Sequence, residues 1–454
     1  MSFFSSLNRG QKEAVGLLQV GTFLEYFDLM LYIHMAVLLN ELFFPQTDPQ
    51  TASILAAFAF CVTFVFRPVG ALVFGWMGDN IGRKSTIIVT TVMMSISCII
   101  MATLPTYAQI GISAAWIMLL CRMVQGIATM GESMGAGIYL AESIARPASY
   151  PAVALICTAA AIGSLVSLGV ASLVTSFLLN WRVAFWIGAV IAIIGAVART
   201  RLRETPDFLE MKRKQLSQSI AELHRLENLE DGNVTTPQNP PVWRDPIKPR
   251  TLLSFFFIFC GYPLTFCLGF LYFNSILKGN FGYSANDIII YNFFLSIILV
   301  VSSVFWSLLS YHVHPVKILK NRGYAALLLL LLLPFIMMVI SNPVELFLLQ
   351  AAIITLQLSS IPVDAVLFYH LPIARRFTYA SFLFAAAQAL MYIITAFGLV
   401  YLGSHWGHFG LWVITVPITL AFLYGACHFE HLERKIEIYP NLTRPSSFVH
   451  QADV

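Results

Sequence analysis

Charged residues are scarce in this sequence. Asp, Glu, Lys and Arg together account for 11% of the 454 residues, while hydrophobic residues account for 58%. A soluble globular domain carries about 25% charged residues, because its surface faces water. The shortage therefore excludes a soluble enzyme, a nucleic-acid-binding protein and a disordered chain. It indicates a protein that crosses a lipid bilayer several times.

The alternation of polar and apolar residues that marks transmembrane β-strands is lacking as well. Apolar runs are instead continuous, as in residues 87–104, 152–179 and 252–276. About 20 such residues cross the hydrocarbon core as a helix, and a helix satisfies its own backbone groups there. The predicted fold class is an all-α polytopic membrane protein.

Signals for redox, nucleotide or catalytic chemistry are few. The seven cysteines all fall inside apolar runs, so we expect small buried side chains rather than disulfides or metal ligands. No Walker phosphate-binding loop occurs, and no nucleophile–base motif stands out. We therefore expect no enzymatic activity, no cofactor and no metal site.

Twelve transmembrane helices are predicted, separated by short connections except at the polar segment 200–250. Their ranges are 15–44, 52–77, 86–104, 109–142, 151–179, 183–199, 251–277, 286–311, 323–341, 344–371, 379–402 and 409–429. We predict a first six-helix half over 1–199, a linker loop over 200–250, a second six-helix half over 251–430 and a tail over 431–454. Two related six-helix halves are the layout of many secondary transporters.

Basic residues lie mostly on one side of these spans, which sets the orientation. With the N-terminus inside, 23 of the 27 Lys and Arg residues are cytoplasmic, and Arg182 and Lys278 lie outside. Arg67 and Arg122 fall within spans of the first half. The second half is predicted to have no Lys or Arg inside a span, with Arg322 on the cytoplasmic side. Both termini are expected to be cytoplasmic.

A glycine-rich, charged motif lies between the second and third spans. Its members are Gly75, Gly78, Asp79, Gly82, Arg83 and Lys84. Glycines permit a tight turn where two helices meet, Asp79 can start a helix and pair with a cation, and Arg83 and Lys84 anchor the loop in water. The spacing matches the signature loop of the major facilitator superfamily.

Further segments narrow the resemblance to the metabolite:proton symporter family of that superfamily. They are 21–32, 67–75, 122–132, 181–185 and 203–208. This family includes proline/betaine, α-ketoglutarate, citrate and shikimate permeases. The resemblance implies a major facilitator fold and a cytoplasmic gate formed by the glycine-rich motif and Glu142. It is thinner in the second half, where 307–322 contains neither Asp nor a glycine pair and Tyr369 replaces an expected acid.

Five ionisable residues are predicted inside the spans of the first half. They are Glu25, Asp28, Arg67, Arg122 and Glu132. Charges at membrane depth are costly and are functional candidates by default. Helical spacing and rise let all five meet around one central cavity. Three carboxylates against two guanidinium groups leave at least one acid without a cation, and desolvation then favours its protonation.

We expect this cluster to couple proton movement to transport, with Asp28 as the first candidate and Arg122 as its switching partner. The family resemblance implies the same roles for an acid of the first span and an Arg of the fourth. Glu132 is the second candidate and Glu25 the third. The alternative is a set of static ion pairs that lock the first, second and fourth helices together.

Polar and aromatic residues facing the same region are candidates for solute binding. They are Tyr32, Gln125, Tyr262, Phe266, Asn292, Gln357, Gln388 and Tyr392. Aromatic and amide groups suit a quaternary ammonium or a zwitterion, and an organic anion could use Arg67 or Arg122. Packing is the alternative role for each aromatic residue. Asp364 is an additional buried acid of the second half.

These observations predict a monomeric transporter of the bacterial inner membrane. It imports a small polar organic solute, such as an organic acid, amino acid or betaine, together with a proton. An uncoupled or exporting transporter of the same fold, for example for a siderophore or drug, is one alternative. A sensor or scaffold that has lost transport is another.

Overall fold

A computed structural model describes residues 3–34, 39, 42–43, 62–176, 180–200 and 248–442, with 202, 204–206, 208–214, 216, 217 and 220. The regular elements within these residues are all helices. Nine helices in the described ranges are long and apolar enough to cross a membrane. The all-α fold class is as predicted. The number of twelve spans stays a prediction, because residues 52–61 of the second predicted span lie outside the described part.

Six helices form the first half. They are α1 (Arg9–His34), α2 (Arg67–Asn80), α3 (Arg83–Thr103), α4 (Ile112–Ser143), α5 (Ser149–Ser176) and α6 (Arg182–Arg199). The turn between α2 and α3 requires glycine at position 82, where φ is +145°, a region that side chains with a Cβ disfavour. A Cβ there would also lie 2.2 Å from an oxygen of Glu204.

The second half contains two interrupted helices among six. Its members are α7 (Pro249–Phe259, Gly261–Phe266, Cys267–Tyr272 and Phe273–Asn280), α8 (Ala285–Leu309), α9 (Pro315–Val339), α10a (Pro343–Thr355), α10b (Asp364–Tyr369), α11 (Arg376–Trp406) and α12 (Trp412–Lys435). Proline stands in the first turn of α7, α9 and α10a, where its missing N–H costs nothing. Ser284 and Asn342 cap the starts of α8 and α10a with side-chain oxygens.

The interruptions in α7 and α10 are supported by side chains of neighbouring helices. Cys267–Tyr272 is a π-helical turn, and the amide of Gln350 donates to the carbonyl of Gly269 at 2.8 Å. Residues 356–363 of α10 are not helical, and the Trp306 indole donates to the carbonyl of Thr355 at 2.9 Å. Broken helices are tolerated at membrane depth where such groups satisfy the backbone.

Several sequence-based expectations were wrong. Arg83, expected to anchor the loop in water, is fully buried, because it is bonded to Asp79 and Glu142. Helix α9 begins at Pro315 rather than near 323, so Arg322 lies inside a helix of the second half, where it is 2% exposed. The His314–Pro315 helix start was not recognised as such in the sequence. Among the cysteines of the described residues, Cys427 is exposed rather than buried.

The two halves meet along α2 with α11 and along α5 with α8. Helix α2 ends, and α11 begins, at the end of the bundle that carries Arg83, Arg146 and Arg376; we call this the basic end. Gly75 and Gly78 allow α11 to approach, since added Cβ atoms would lie 2.7 Å from the Thr378 Cα and 2.4 Å from the Phe377 ring. On the other side, the hydroxyls of Thr158 and Ser307 are 3.4 Å apart.

Gly75→Ala should destabilise the contact between α2 and α11, because the new methyl group meets backbone rather than a movable side chain. Overpacking of this kind costs about 1–3 kcal/mol, and it should lower the apparent Tm of the purified protein in detergent. Gly169→Ala in α5 is the matched control, since nothing lies within 4 Å of a Cβ at that site. Equal Tm values for the two variants would contradict the packing argument.

Candidate functional site

The three carboxylates predicted in the first half surround one small cavity. Glu25 and Asp28 come from α1 and Glu132 from α4, and each is 2% exposed. The cavity, about 10 Å³ in volume, is also lined by Thr91 and Cys98 of α3. This is close to the smallest volume that holds a water molecule. The hydroxyl of Thr91 donates to Glu132 at 3.2 Å.

Gln125 connects Asp28 to Arg122. The Nη1 group of Arg122 donates to the amide oxygen of Gln125 at 2.9 Å, and the amide nitrogen of Gln125 donates to Asp28. Arg122 also lies over the ring of Tyr32, 4.2 Å from its centroid. Predicted switching partners are therefore joined through an amide rather than by a direct ion pair.

Several polar atoms around the Arg122–Gln125–Asp28 connection have no hydrogen-bond partner in the described part of the chain. Oδ1 of Asp28, Nε and Nη2 of Arg122 and the hydroxyl of Tyr32 have no hydrogen-bond partner within the described residues. All of them are buried. Buried polar groups without partners are rare in stable structures and call for an explanation such as a functional role.

Aromatic residues link Arg67 to the second half. The guanidinium of Arg67 lies 4.6 Å from the centroid of the Phe64 ring, and Phe64 is 4.7 Å from Tyr392 of α11. Tyr392 contacts Phe266 of α7 at 6.1 Å, and Phe266 contacts Tyr262 at the same distance. Three predicted solute-binding residues, Tyr262, Phe266 and Tyr392, are thus brought together. Phe64 also belongs to this group and was not predicted. Its position three residues before Arg67 was the available sign that the two side chains could meet.

The three predicted amides of the second half lie on three different elements. Asn292 lies on α8, Gln388 on α11, and Gln357 in the non-helical stretch of α10. Gln357 and Gln388 are buried, and the buried Oδ1 of Asn292 has no hydrogen-bond partner among the described residues.

At the basic end, Asp79 of α2 caps the start of α11. Its carboxylate accepts hydrogen bonds from the backbone N–H of Phe377 at 3.1 Å, and from the N–H and hydroxyl of Thr378 at 2.9 and 2.7 Å. A carboxylate at a helix start satisfies free N–H groups and is favoured by the helix dipole. The first half is thereby bonded to a helix of the second.

Arg83 and Glu142 surround this contact with further charges. Arg83 lies 3.4 Å from Asp79 and 3.1 Å from Glu142, and it donates to the carbonyl of Ile373 at 2.9 Å. Glu142 also accepts from Arg376 at 3.0 Å and from Thr205 at 2.7 Å. The network joins the ends of α2 and α4 to the starts of α3 and α11.

The side chain of Lys84 is half-exposed, and its contribution comes from the backbone. The N–H groups of Arg83 and Lys84 donate to Glu204 at 3.0 and 3.4 Å. The sequence did not predict these roles for Glu204 and Thr205. The available signal was a carboxylate and a hydroxyl side chain immediately before a helix, where such groups often bond to a neighbouring helix start.

A second ionic cluster at the basic end was not predicted. Glu433 of α12 lies 3.0 Å from Arg146, which follows α4, and 2.7 and 3.4 Å from His370 and His314. The Glu433–Arg146 pair joins the two halves, although the 307–322 segment lacks the Asp that the family resemblance leads one to expect. Glu433 was overlooked because the last span was predicted to end before it.

The architecture is that of known transporters. A solved proton:xylose symporter of the major facilitator superfamily matches with a TM-score of 0.67 over 96% of each chain, at 16% identity. A solved human organic anion transporter matches with a TM-score of 0.63 over 93% of this chain and 100% of that one, at 14% identity. At such identities the likeness concerns the fold alone.

The family follows from the sequence. The Major Facilitator Superfamily model matches residues 18–366, and the chain belongs to that superfamily. Members with this fold are transporters and not enzymes, as predicted.

Curated relatives are consistent with the metabolite:proton symporter resemblance. A proline/betaine transporter of Salmonella typhimurium is 33% identical over 286 residues, 60% of this chain and 54% of the relative. An inner membrane metabolite transport protein of Escherichia coli is 35% identical over 218 residues, 45% and 48% of the two chains. A glycine betaine/proline/ectoine/pipecolic acid transporter of Dickeya dadantii is 34% identical over 205 residues, 43% and 41%. The matches span about half the length of these relatives.

Asp79→Ala should loosen the basic end, because α11 loses three hydrogen bonds to a charged acceptor, each worth about 1.5–3 kcal/mol. Ala141 of α4 offers a reporter, being 3% exposed with its carbonyl bonded to Tyr369 of α10b. With native cysteines replaced, an Ala141→Cys thiol should react at least about tenfold faster with a polar maleimide.

The control is Glu210→Ala, which removes an exposed acid paired with Lys214. Asp79→Asn, which keeps one acceptor oxygen, should give an intermediate rate if the fold is intact. A rate equal to that of the parent in all three variants would show that Asp79 does not hold this end closed.

Proposed function

We propose that the protein carries a small polar organic solute across the membrane together with a proton, by alternating access of its two halves. The observation that carries this proposal is the common cavity of Glu25, Asp28 and Glu132, with Arg122 held one amide away from Asp28. Asp28 is buried and bonded to the Gln125 amide rather than directly to Arg122, and shielding from water makes a carboxylate easier to protonate. Such a group can take up a proton and release it when its surroundings change.

Gln125 suits a switch between two arrangements. In this structure it holds Arg122 and Asp28 apart while it bonds to both. Rotation of the amide would let the guanidinium reach the carboxylate directly and favour loss of the proton. Because the cavity has room for about one water molecule, the proton can reach Asp28 while the larger solute stays outside this part of the site.

The solute is proposed to bind where the first half meets the aromatic residues of the second. Phe64, Phe266 and Tyr392 offer ring faces, and Arg67 lies beside them. Rings bind a quaternary ammonium, and a guanidinium binds a carboxylate. A betaine or an amino acid carries both groups, which agrees with the solutes named for the relatives.

The proposed location is the bacterial inner membrane, with the basic end and both termini in the cytoplasm. The excess of Lys and Arg at that end supports this orientation. The contacts of Asp79 and Glu433 across the halves then close the cytoplasmic side. Import requires these contacts to break. The unit is proposed to be the monomer, because the two halves of a single chain form the site.

Proton coupling is tested by solute uptake into proteoliposomes under an imposed pH gradient. Asp28→Asn should lose at least about 90% of gradient-driven uptake, since loss of proton transfer costs a factor of 10²–10⁴ in related chemistry. Exchange of labelled solute at equal pH, which needs no net proton movement, should be less affected. Glu13→Gln is the control, because this acid is exposed at the start of the same helix.

Uptake that ignores the pH gradient, and that survives Asp28→Asn unchanged, would contradict proton symport. It would favour the uncoupled transporter of the same fold. Efflux against the gradient would instead favour an exporter.

Tyr392→Ala should weaken the binding of betaine more than that of an uncharged solute of similar size. Loss of one ring face costs about 0.5–2 kcal/mol of cation binding, which raises the apparent KM about two- to thirtyfold. Tyr392→Phe keeps the ring and should leave the KM within about twofold. Equal effects of the two substitutions would indicate that the hydroxyl, and not the ring, binds the solute.

A further inference from the structure

The break in α10 carries a charged pair outside the cavity described above. Arg322 lies on α9 and Asp364 opens α10b, and both are buried. Arg322 donates to the carbonyl of Ser359, five residues before Asp364, yet no ion pair joins the two charges within the described residues. Nε and Nη1 of Arg322 and Oδ1 of Asp364 have no hydrogen-bond partner there. Each charge is therefore only partly compensated, which is costly away from water.

The break itself is anchored within the second half. Arg322 donates from Nη2 to the carbonyl of Ser359, and to its hydroxyl at 3.3 Å. Trp306 of α8 binds the carbonyl of Thr355 at the end of α10a. Two backbone carbonyls without helical partners thus have donors on α8 and α9, which hold the non-helical stretch 356–363; we call this stretch the hinge.

Helix α10b, in contrast, rests on the first half. The hydroxyl of Tyr369 donates to the carbonyl of Ala141 on α4 at 3.0 Å, and Phe368 packs against Gly137. Asp364 receives the thiol of Cys157 on α5 at 3.9 Å. A segment bonded to one half is therefore connected through a hinge to helices of the other.

We propose that Arg322 and Asp364 form a charge switch, apart while α10b rests on the first half and paired once α10b leaves it. Asp364 contacts Cys157 of α5, and Ser360 precedes it in the hinge. Arg322 of α9 is bonded to the neighbouring Ser359. When the basic end opens, Asp364 loses Cys157, and Arg322, already fixed to Ser359, is the cation at the hinge. Forming the pair compensates both charges and stabilises the open state. The switch rests on the alternating access proposed above.

A double-mutant cycle on the opening of the basic end tests the switch. The reporter is the Ala141→Cys thiol in purified protein, with native cysteines replaced by alanine and Cys157→Ser keeping a donor for Asp364. Alkylation by a polar maleimide measures opening without solute or pH gradient. Arg322→Gln and Asp364→Asn should each slow alkylation about tenfold, a typical size for coupled charges.

The double variant should be no slower than either single one, because each single substitution already abolishes the pair. Lys320→Gln is the matched control on α9; its partner Glu430 lies within the second half at 2.6 Å, so the rate should not change. Arg322→Lys keeps the charge and should retain most of the parental rate. Melting temperatures identify any variant that fails to fold, and Arg322→Lys with Asp364→Glu then repeats the comparison.

Additive slowing in the double variant, or parental rates throughout, would overturn the switch. Asp79→Ala separates this result from a failure of alternating access. If that variant opens the basic end while the Arg322 and Asp364 variants behave like the parent, the switch alone is wrong. If no variant exposes the reporter, the rocking of the halves is wrong as well.

Discussion

The capping of α11 by Asp79 is the contact around which the other bonds between the halves are arranged at the basic end. A helix start has free N–H groups, and where they are buried they need an acceptor. In this protein the acceptor for two of them belongs to the other half of the molecule. Separation of the halves therefore exposes a helix terminus on one side and a carboxylate on the other.

The surrounding charges share that constraint. Arg83 balances Asp79, Glu142 balances Arg83, and Arg376 at the start of α11 balances Glu142. Each charge in this series is partly compensated by its neighbour, and that neighbour is in turn held by the following residue of the series. Such a buried network is destabilised strongly when one member is removed, which makes the closed arrangement cooperative. Glu433, bonded to Arg146, adds a second link of the same kind.

Composition and patterning were sufficient to predict the all-α membrane fold, because the length of an apolar run and the need to satisfy the backbone leave few alternatives. The shared face of Glu25 and Asp28 on α1, and their meeting with Glu132 of α4 at one cavity, also followed from helical spacing and rise. The sequence did not predict which side chains bond to each charged group. Nothing in the spacing indicates that Gln125 lies between Arg122 and Asp28.

The second half was harder to predict for a physical reason. Its helices α7 and α10 are interrupted, and hydrophobicity alone does not distinguish an interrupted apolar run from a continuous one. The interruptions depend on donors from distant parts of the chain, such as Gln350, Trp306 and Arg322. Arg322 was assigned to the cytoplasm because eight residues of α9 precede the apolar run, although they already form helix.

The two halves therefore contribute different properties to one cycle. The first half holds three acids sheltered from water around one cavity, which is where the proposed response to protons would arise. The second half holds aromatic faces and two interrupted helices, which are the features proposed to bind the solute and to bend. Asp364 sits on the bending segment but touches the first half through Cys157. When the halves separate, Asp364 loses its contact with Cys157. The proposed transition therefore depends on a charge of the second half as well as on the acids of the first.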